Sequence, residues 1–295
     1  MKTTRTSRTW SASEAASIED LTPFFEDRCW MFVLLAPQTD VGVILRRGPT
    51  EWWRVTLWDT KRDRFDGGQW FRGRMYPDKC DLSPDGRLLI YFAGKFRQRD
   101  VTRGYHSTWT AVSRPPYLTA LALWPIGDTW GGRGVFLDER TVLVATSSPS
   151  FGAKHHPDHP PGPLRVVESC SLKKDDPRRH AVPCWQGGWN RILTAPATSE
   201  YRKTCGELIL GRDFSSHHYP SRRRTLYTVY RGKPVALFEA HWADWDQRGR
   251  LVATVGGRVF AGKLKKNDKL VWRELKAMND ERPSRMEAPP WAQHW

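Results

Sequence analysis

At 295 residues the chain is long enough to bury a sizeable core, either as two ordinary domains or as one large all-β domain. Its 47 Lys and Arg against 32 Asp and Glu give a net charge of +15, which favours anionic partners such as nucleic acid, anionic lipid or an acidic protein without choosing among them. No apolar run reaches the roughly 18 residues of a membrane-spanning helix, and Glu14, Glu19 and Asp20 interrupt the N-terminus before any signal-like apolar region, so neither is expected.

The first predicted element is a short helix in "SASEAASIEDLTPFFED", capped by Ser11 or Ser13, running through Asp20 and stopped by Pro23. Cys29, Cys80, Cys170, Cys184 and Cys205 are odd in number and contain no CxxC pair, the pattern of free thiols in a reducing cytosol. Beyond the helix, twelve apolar stretches have strand length and turn-like boundaries. In order they are 31–37, 41–47, 52–59, 87–94, 108–113, 118–125, 141–148, 164–169, 206–213, 225–232, 250–257 and 258–264. Sixteen Trp, 23 Gly and 21 Pro suit short strands separated by many turns.

One of these stretches recurs. Cys80–Leu89, "CDLSPDGRLL", aligns without a gap to Ala243–Val252, "ADWDQRGRLV", and Val135–Leu143 fits with one residue fewer in the turn. The starts are 135 − 80 = 55 and 243 − 135 = 108 residues apart, and 108 is twice 54. A degenerate copy is therefore expected near residue 189, at "WQGGWNRILTA", and another near Glu26. In the turn, Pro84 presets φ and Gly86 accepts a positive one.

Together, "LSPDGRLLIYFAG" and "ADWDQRGRLVATVGG" resemble the inner hairpins of WD-type and TolB-like β-propeller repeats. The resemblance covers about 30 residues well and the remaining units by spacing. It implies an all-β propeller of five blades of about 54 residues, because stacking sheets about an axis covers faces that one sheet leaves bare. The expected layout is an N-terminal segment over 1–25, then one domain over 26–295 with a polar insertion near 148–185. Trp291 and Trp295 would dock a C-terminal tail.

Four groups of residues bear on function. His155, His156, Asp158 and His159 in "HHPDHPPGP" offer metal-binding atoms, joined on paper by Cys170, His180, Cys184 and Cys205. Their spacing matches no established zinc pattern, and a solvated loop accounts for them better, so no metal or cofactor is expected. Asp81 and Asp244 share one repeat position, while Ser83, Asp138 and Asp246 share another. They allow a glycosidase-like propeller hydrolase, since two carboxyls at suitable separation run sugar hydrolysis, but turns and strand ends also prefer these residues. Arg46, Arg47, Lys95, Arg97, Arg99, Arg222, Arg223 and Arg224 would form a nucleic-acid surface if they share a face. Arg114, Tyr117, Trp130 and Arg133 flank an apolar strand with the aromatic and Arg chemistry of interface anchors. The resulting expectation is a non-catalytic cytoplasmic scaffold that holds another protein, with the nucleic-acid subunit and the hydrolase as alternatives.

Overall fold

The computed structural model describes residues 18–26, 29–96, 104–145, 154–183, 187–195, 198–215 and 224–295. These residues build five sheets in chain order. The first contains β1 (Trp30–Leu35), β2 (Val41–Arg47), β3 (Trp52–Asp59) and β4 (Arg64–Arg72). In the second are β5 (Arg74–Met75), β6 (Asp81–Leu82), β7 (Leu89–Gly94), β8 (Thr108–Ser113) and β9 (Ala122–Pro125). The third holds β10 (Arg133–Phe136), β11 (Thr141–Ala145) and β12 (Arg165–Glu168). The fourth comprises β13 (Asn190–Ala195), β14 (Thr198–Cys205), β15 (Leu208–Ser215), β16 (Thr225–Arg231) and β17 (Lys233–Ala240). Finally, the fifth comprises β18 (Trp242–Trp245), β19 (Leu251–Val255), β20 (Arg258–Leu264) and β21 (Leu270–Ala277). Neighbouring strands pair antiparallel except β11 and β12, which run parallel.

The recurring hairpin stands at or near the start of three of these sheets. In the second, Gly86 at φ +75° closes the turn between β6 and β7, its N–H bonding the Ser83 carbonyl at 2.8 Å. Between β18 and β19, Gly249 at φ +70° does the same with Asp246 at 2.9 Å. Both positions need the left-handed region, where a Cβ is costly. The Asp138–Arg140 turn joins β10 to β11. The other two expected starts, near 189 and 26, fall just before β13 and β1.

Sheets pack on one another through inward apolar faces. The largest core joins the first and second sheets around Val33, Ile44, Trp58 and Tyr91, and draws in Trp242, Val252 and Val259 from the fifth. A second core presses Tyr227, Val229 and Phe238 of the fourth sheet onto Ala253, Phe260 and Trp272 of the fifth. A third joins Ile90, Val112 and Trp124 to Phe136, Val142 and Val144, uniting the second and third sheets. The packing order is thus fourth, fifth, first, second, third.

Two expectations are corrected here. The expected propeller ring is not closed among the described residues: the far face of the third sheet, Val135 and Leu143, is covered by Leu172, with Ala181 packed alongside. The polar insertion thereby buries a face that an adjoining blade would otherwise cover. The predicted N-terminal helix has residues 11–17 outside the described set, and its described end is not helical. Ile18 instead exchanges backbone hydrogen bonds with Trp272 at 2.9 and 2.6 Å, adding the N-terminal segment to the edge of β21. A free sheet edge offers unmet backbone partners, which outweigh the modest propensity of a short helix.

Glycine also sets how closely sheets approach. A Cβ at Gly68 in β4 would overlap the backbone carbonyl of Pro116, across the boundary between the first and second sheets. Gly68→Ala is therefore expected to lower stability by about 1–3 kcal/mol, the usual cost of overpacking, read as an earlier midpoint in urea.

Candidate functional site

The antiparallel registers give the assembly two ends. At the turn end, first hairpins meet neighbouring sheets: the Gln38 N–H donates to Pro84 at 3.1 Å, and Thr39 Oγ1 donates to Asp85 at 3.1 Å. Arg250 there forks onto Asp63 at 2.9 Å through each of two nitrogens and also bonds Asp246 at 2.7 Å. At the opposite, loop end lie Arg47, Gly94, Thr108, Pro125 and Arg133.

The most distinctive feature of the loop end is Trp130, whose surface is 80% exposed on a loop that is otherwise well held. Asp128 Oδ1 accepts the N–H groups of Trp130 and Gly131 at 2.7 and 2.8 Å. Lys79 Nζ donates to the carbonyls of Thr129 and Trp130, each at 2.8 Å, while sitting 5.1 Å from the Phe92 ring centre. Burial pushes the Lys79 ammonium below its usual range, Asp78 and Asp128 opposing the shift. Burial likewise pushes the Asp78 carboxyl up. Thr108 Oγ1 bonds the Asp128 carbonyl at 2.5 Å, and the exposed Phe96 ring lies over Gly94 beside Thr108. Arg133 reaches the Ala181 carbonyl at 2.6 Å, tying this end to the insertion, where Val182 is exposed.

The four expected interface residues do not make one surface. Trp130 and Arg133 share the loop end, whereas Arg114 and Tyr117 occupy the turn after β8, at the turn end. The reason is elementary: they flank a single strand, β9, and residues on either side of a strand emerge at its opposite ends.

The basic residues are divided as well. Arg46 is buried to 1% exposure, donates to the Gly48 carbonyl at 2.7 Å, and shares the Trp70 ring with Arg54 at 5.3 and 5.5 Å. It cannot reach a phosphate, which corrects its place in a nucleic-acid surface. Arg47, Lys95 and Arg224 do lie at the loop end; Lys95 sits over Phe71, and Arg224 sits over Phe25 and pairs with Glu239 at 3.6 Å. Arg97, Arg99, Arg222 and Arg223 lie outside the described residues.

The metal candidates are engaged otherwise. His156 is buried and stacks on Tyr105 at 4.0 Å, and its Nδ1 accepts the Asp158 N–H at 3.2 Å. His159 bonds the Tyr105 hydroxyl at 2.9 Å through Nε2 and the Ala120 carbonyl at 3.1 Å through Nδ1, and burial holds its pKa below the ordinary value. His155 and Asp158 are exposed, the Asp158 carboxylate lying 3.9 Å from His156 Nδ1. Main-chain bonds between Leu123 and both His156 and His159 lay this loop along β9. Among the described residues no three His, Cys, Asp or Glu side chains are grouped to hold a metal. Cys170 and Cys205 lie beside Glu168 and Gly249 respectively, and Cys184 is outside the described residues.

The repeat carboxylates serve the backbone. Asp81 is buried and accepts the Phe136 N–H of the third sheet at 2.8 Å. Asp138 and Asp246 accept N–H groups within their own turns, and Ser83 bonds Asp85 at 2.6 Å. Asp244 joins the fourth and fifth sheets through Lys203 and Trp189 at 2.9 and 3.3 Å.

The C-terminal tail, expected to dock through Trp291 and Trp295, reaches the turn end, a place that its sequence does not specify. Gln69 donates to the Met286 carbonyl at 3.0 Å and accepts the Leu118 N–H at 2.7 Å, and Trp291 meets Tyr117 edge-on at 5.5 Å. Trp295 donates to the Pro160 carbonyl at 3.1 Å.

No family model and no curated protein matches the chain. Among solved structures, a crystal structure of an uncharacterized protein from Listeria monocytogenes EGD-e is similar at 10% identity, over 92% of this chain and 88% of that one, with a TM-score of 0.28. No helix among the described residues is long and apolar enough to cross a membrane.

Proposed function

We propose that this chain is a non-catalytic, propeller-like binding module of the cytoplasm that docks an acidic segment of another protein on its loop end. The observation that carries the reading is Trp130. A large ring held in water by a loop fixed through four hydrogen bonds is costly to display and suited to anchoring a partner, since aromatic side chains presented on rigid loops dominate interface energies. Phe96 and Val182 are also exposed at this end, and Arg74 and Lys95 supply positive charge there, in keeping with the +15 balance. Free Cys29, Cys80, Cys170 and Cys205 suit a reducing compartment.

The test is affinity capture of the tagged chain from its native cytosol, with and without nuclease, followed by cross-linking through Lys95. A stoichiometric protein that survives nuclease and cross-links at this end is the expected result. Recovery of nucleic acid alone, with affinity falling steeply as salt rises, would replace this reading with a phosphate-binding surface using Arg47, Lys95 and Arg224.

A further inference from the structure

We infer that the turn end of the fourth, fifth and first sheets is a docking surface for the phosphate backbone of duplex nucleic acid. The inference stands apart from the loop-end reading, because the two surfaces lie at opposite ends of the strands.

The argument begins with six cations that the fold gathers and does not neutralise. Lys61, Lys233, Arg248, Lys263, Lys265 and Lys266 are exposed, and none forms an ion pair with a described residue. Contacts between the turns bring them together. Arg231, at the β16–β17 turn that carries Lys233, pairs with Asp268 of the β20–β21 turn at 2.5 Å. Arg248 of the β18–β19 turn donates to the Lys61 carbonyl, in the β3–β4 turn, at 3.1 Å. Lys263 shares a face of β20 with Ala261, whose partner in β21 is Arg273, and Arg273 reaches Asp63 at 3.3 Å.

The neighbouring carboxylates are engaged. Asp59 holds Arg62, Asp63 and Asp246 hold Arg250, Asp268 holds Arg231, and Glu19 holds Lys269. Among the described residues, Asp40 and Glu207 are what remains in the turns at this end of the three sheets, against six cations. The β20–β21 turn is also built against electrostatic preference. The Asp268 N–H bonds the Lys265 carbonyl at 3.1 Å, and the Lys265 N–H bonds the Lys269 carbonyl at 2.9 Å. That closure sets Lys265 opposite Lys269, and like charges facing across a hairpin repel. A bound polyanion relieves the repulsion.

The kind of partner follows from what accompanies the charge. None of the exposed large apolar side chains among the described residues lies in these turns. A protein interface centres on aromatic and apolar anchors and is poor in lysine, a single strand needs rings on which its bases stack, and membrane attachment adds buried apolar area. Five of the six cations are lysines, compact charges suited to phosphate. Phosphate contacts alone position a duplex without reading its sequence, and the +15 balance draws it in from a distance.

The test is fluorescence anisotropy of a short labelled duplex DNA of arbitrary sequence with the full chain, between about 50 and 200 mM salt. Six phosphate contacts predict that the logarithm of the binding constant falls with the logarithm of salt at a slope of about −5. The triple variant Lys263→Gln, Lys265→Gln, Lys266→Gln is expected to flatten that slope by about 3, with its thermal midpoint unchanged or raised because a repulsive pair is gone. A control triple, Lys154→Gln, Lys173→Gln, Lys174→Gln, removes the same charge from other exposed positions and should leave the slope unchanged, as should Trp130→Ala. An equal loss in the control triple would reduce the binding to net charge and overturn the inference. So would a loss that follows Arg47→Gln, Lys95→Gln and Arg224→Gln instead, which would move the surface to the loop end. Tighter binding to the single strand, tighter binding to vesicles of phosphatidylserine and phosphatidylcholine, or no binding at the lowest salt would overturn it as well.

Discussion

Trp130→Ala is expected to weaken the captured partner by roughly 30-fold, about 2 kcal/mol, while the thermal midpoint stays within the scatter of a surface substitution. The separation follows from how the loop is held. Asp128 bonds the backbone N–H groups of residues 130 and 131, and Lys79 bonds the carbonyls of 129 and 130, so every one of these contacts survives removal of the indole. Only exposed apolar area is lost, and exposed area contributes to binding rather than to folding. Lys79→Met makes the converse case. It removes two bonds from the loop, and is expected to loosen the ring's orientation and weaken binding even though Trp130 remains. Titration calorimetry with the purified partner reads both variants; an unchanged affinity in Trp130→Ala would end the loop-end reading.

Much of the architecture was legible because the inner strands carry their own signal. The stretches at 41–47, 52–59, 108–113 and 258–264 coincide with β2, β3, β8 and β20, each rich in β-branched or aromatic residues between turn formers. The 54-residue spacing falls near the start of each of the five sheets, but glycine at positive φ marks the recurring turn only in the second and fifth, at Gly86 and Gly249. Strands β4, β14 and β17 were not predicted. "RFDGGQWFR", "TSEYRKTC" and "KPVALFEA" mix polar and apolar residues, and they become strands because a neighbour supplies the hydrogen bonds. The sites were less legible. Arg46 looks like any surface arginine in "VILRRG", and only the approach of Trp70 and Asn279 from distant segments buries it. The split of the Arg114 and Trp130 groups was implicit in the strand "LTALALWP" between them, whereas the joining of Tyr117 to Trp291 depends on a tail with no repeat pattern.

Asp244→Ala is expected to cost about 3 kcal/mol, because truncating one member of a buried ion pair strands the other. For a chain of this size that corresponds to a fall of roughly 6–12 °C in the thermal midpoint. The carboxylate accepts from Lys203 at 2.9 and 3.0 Å, from the Trp245 N–H at 2.7 Å and from the Trp189 indole at 3.3 Å. Burial pushes its pKa up, while Lys203 and these donors hold it down. Its removal leaves an ammonium, an indole N–H and a backbone N–H without their acceptor, at the boundary between the fourth and fifth sheets. Asp244→Asn keeps oxygen for two of them and should cost less. Asp138→Ala, in an exposed turn, should cost the least of the three. That ranking separates structure from catalysis. A hydrolase built on the repeated carboxylates would lose turnover in these variants without losing stability, whereas residues that tie one sheet to the next lose stability in proportion to the donors they leave behind. Guanidinium melts of the three variants decide it, and equal midpoints would mean that Asp244 is not holding the two sheets together.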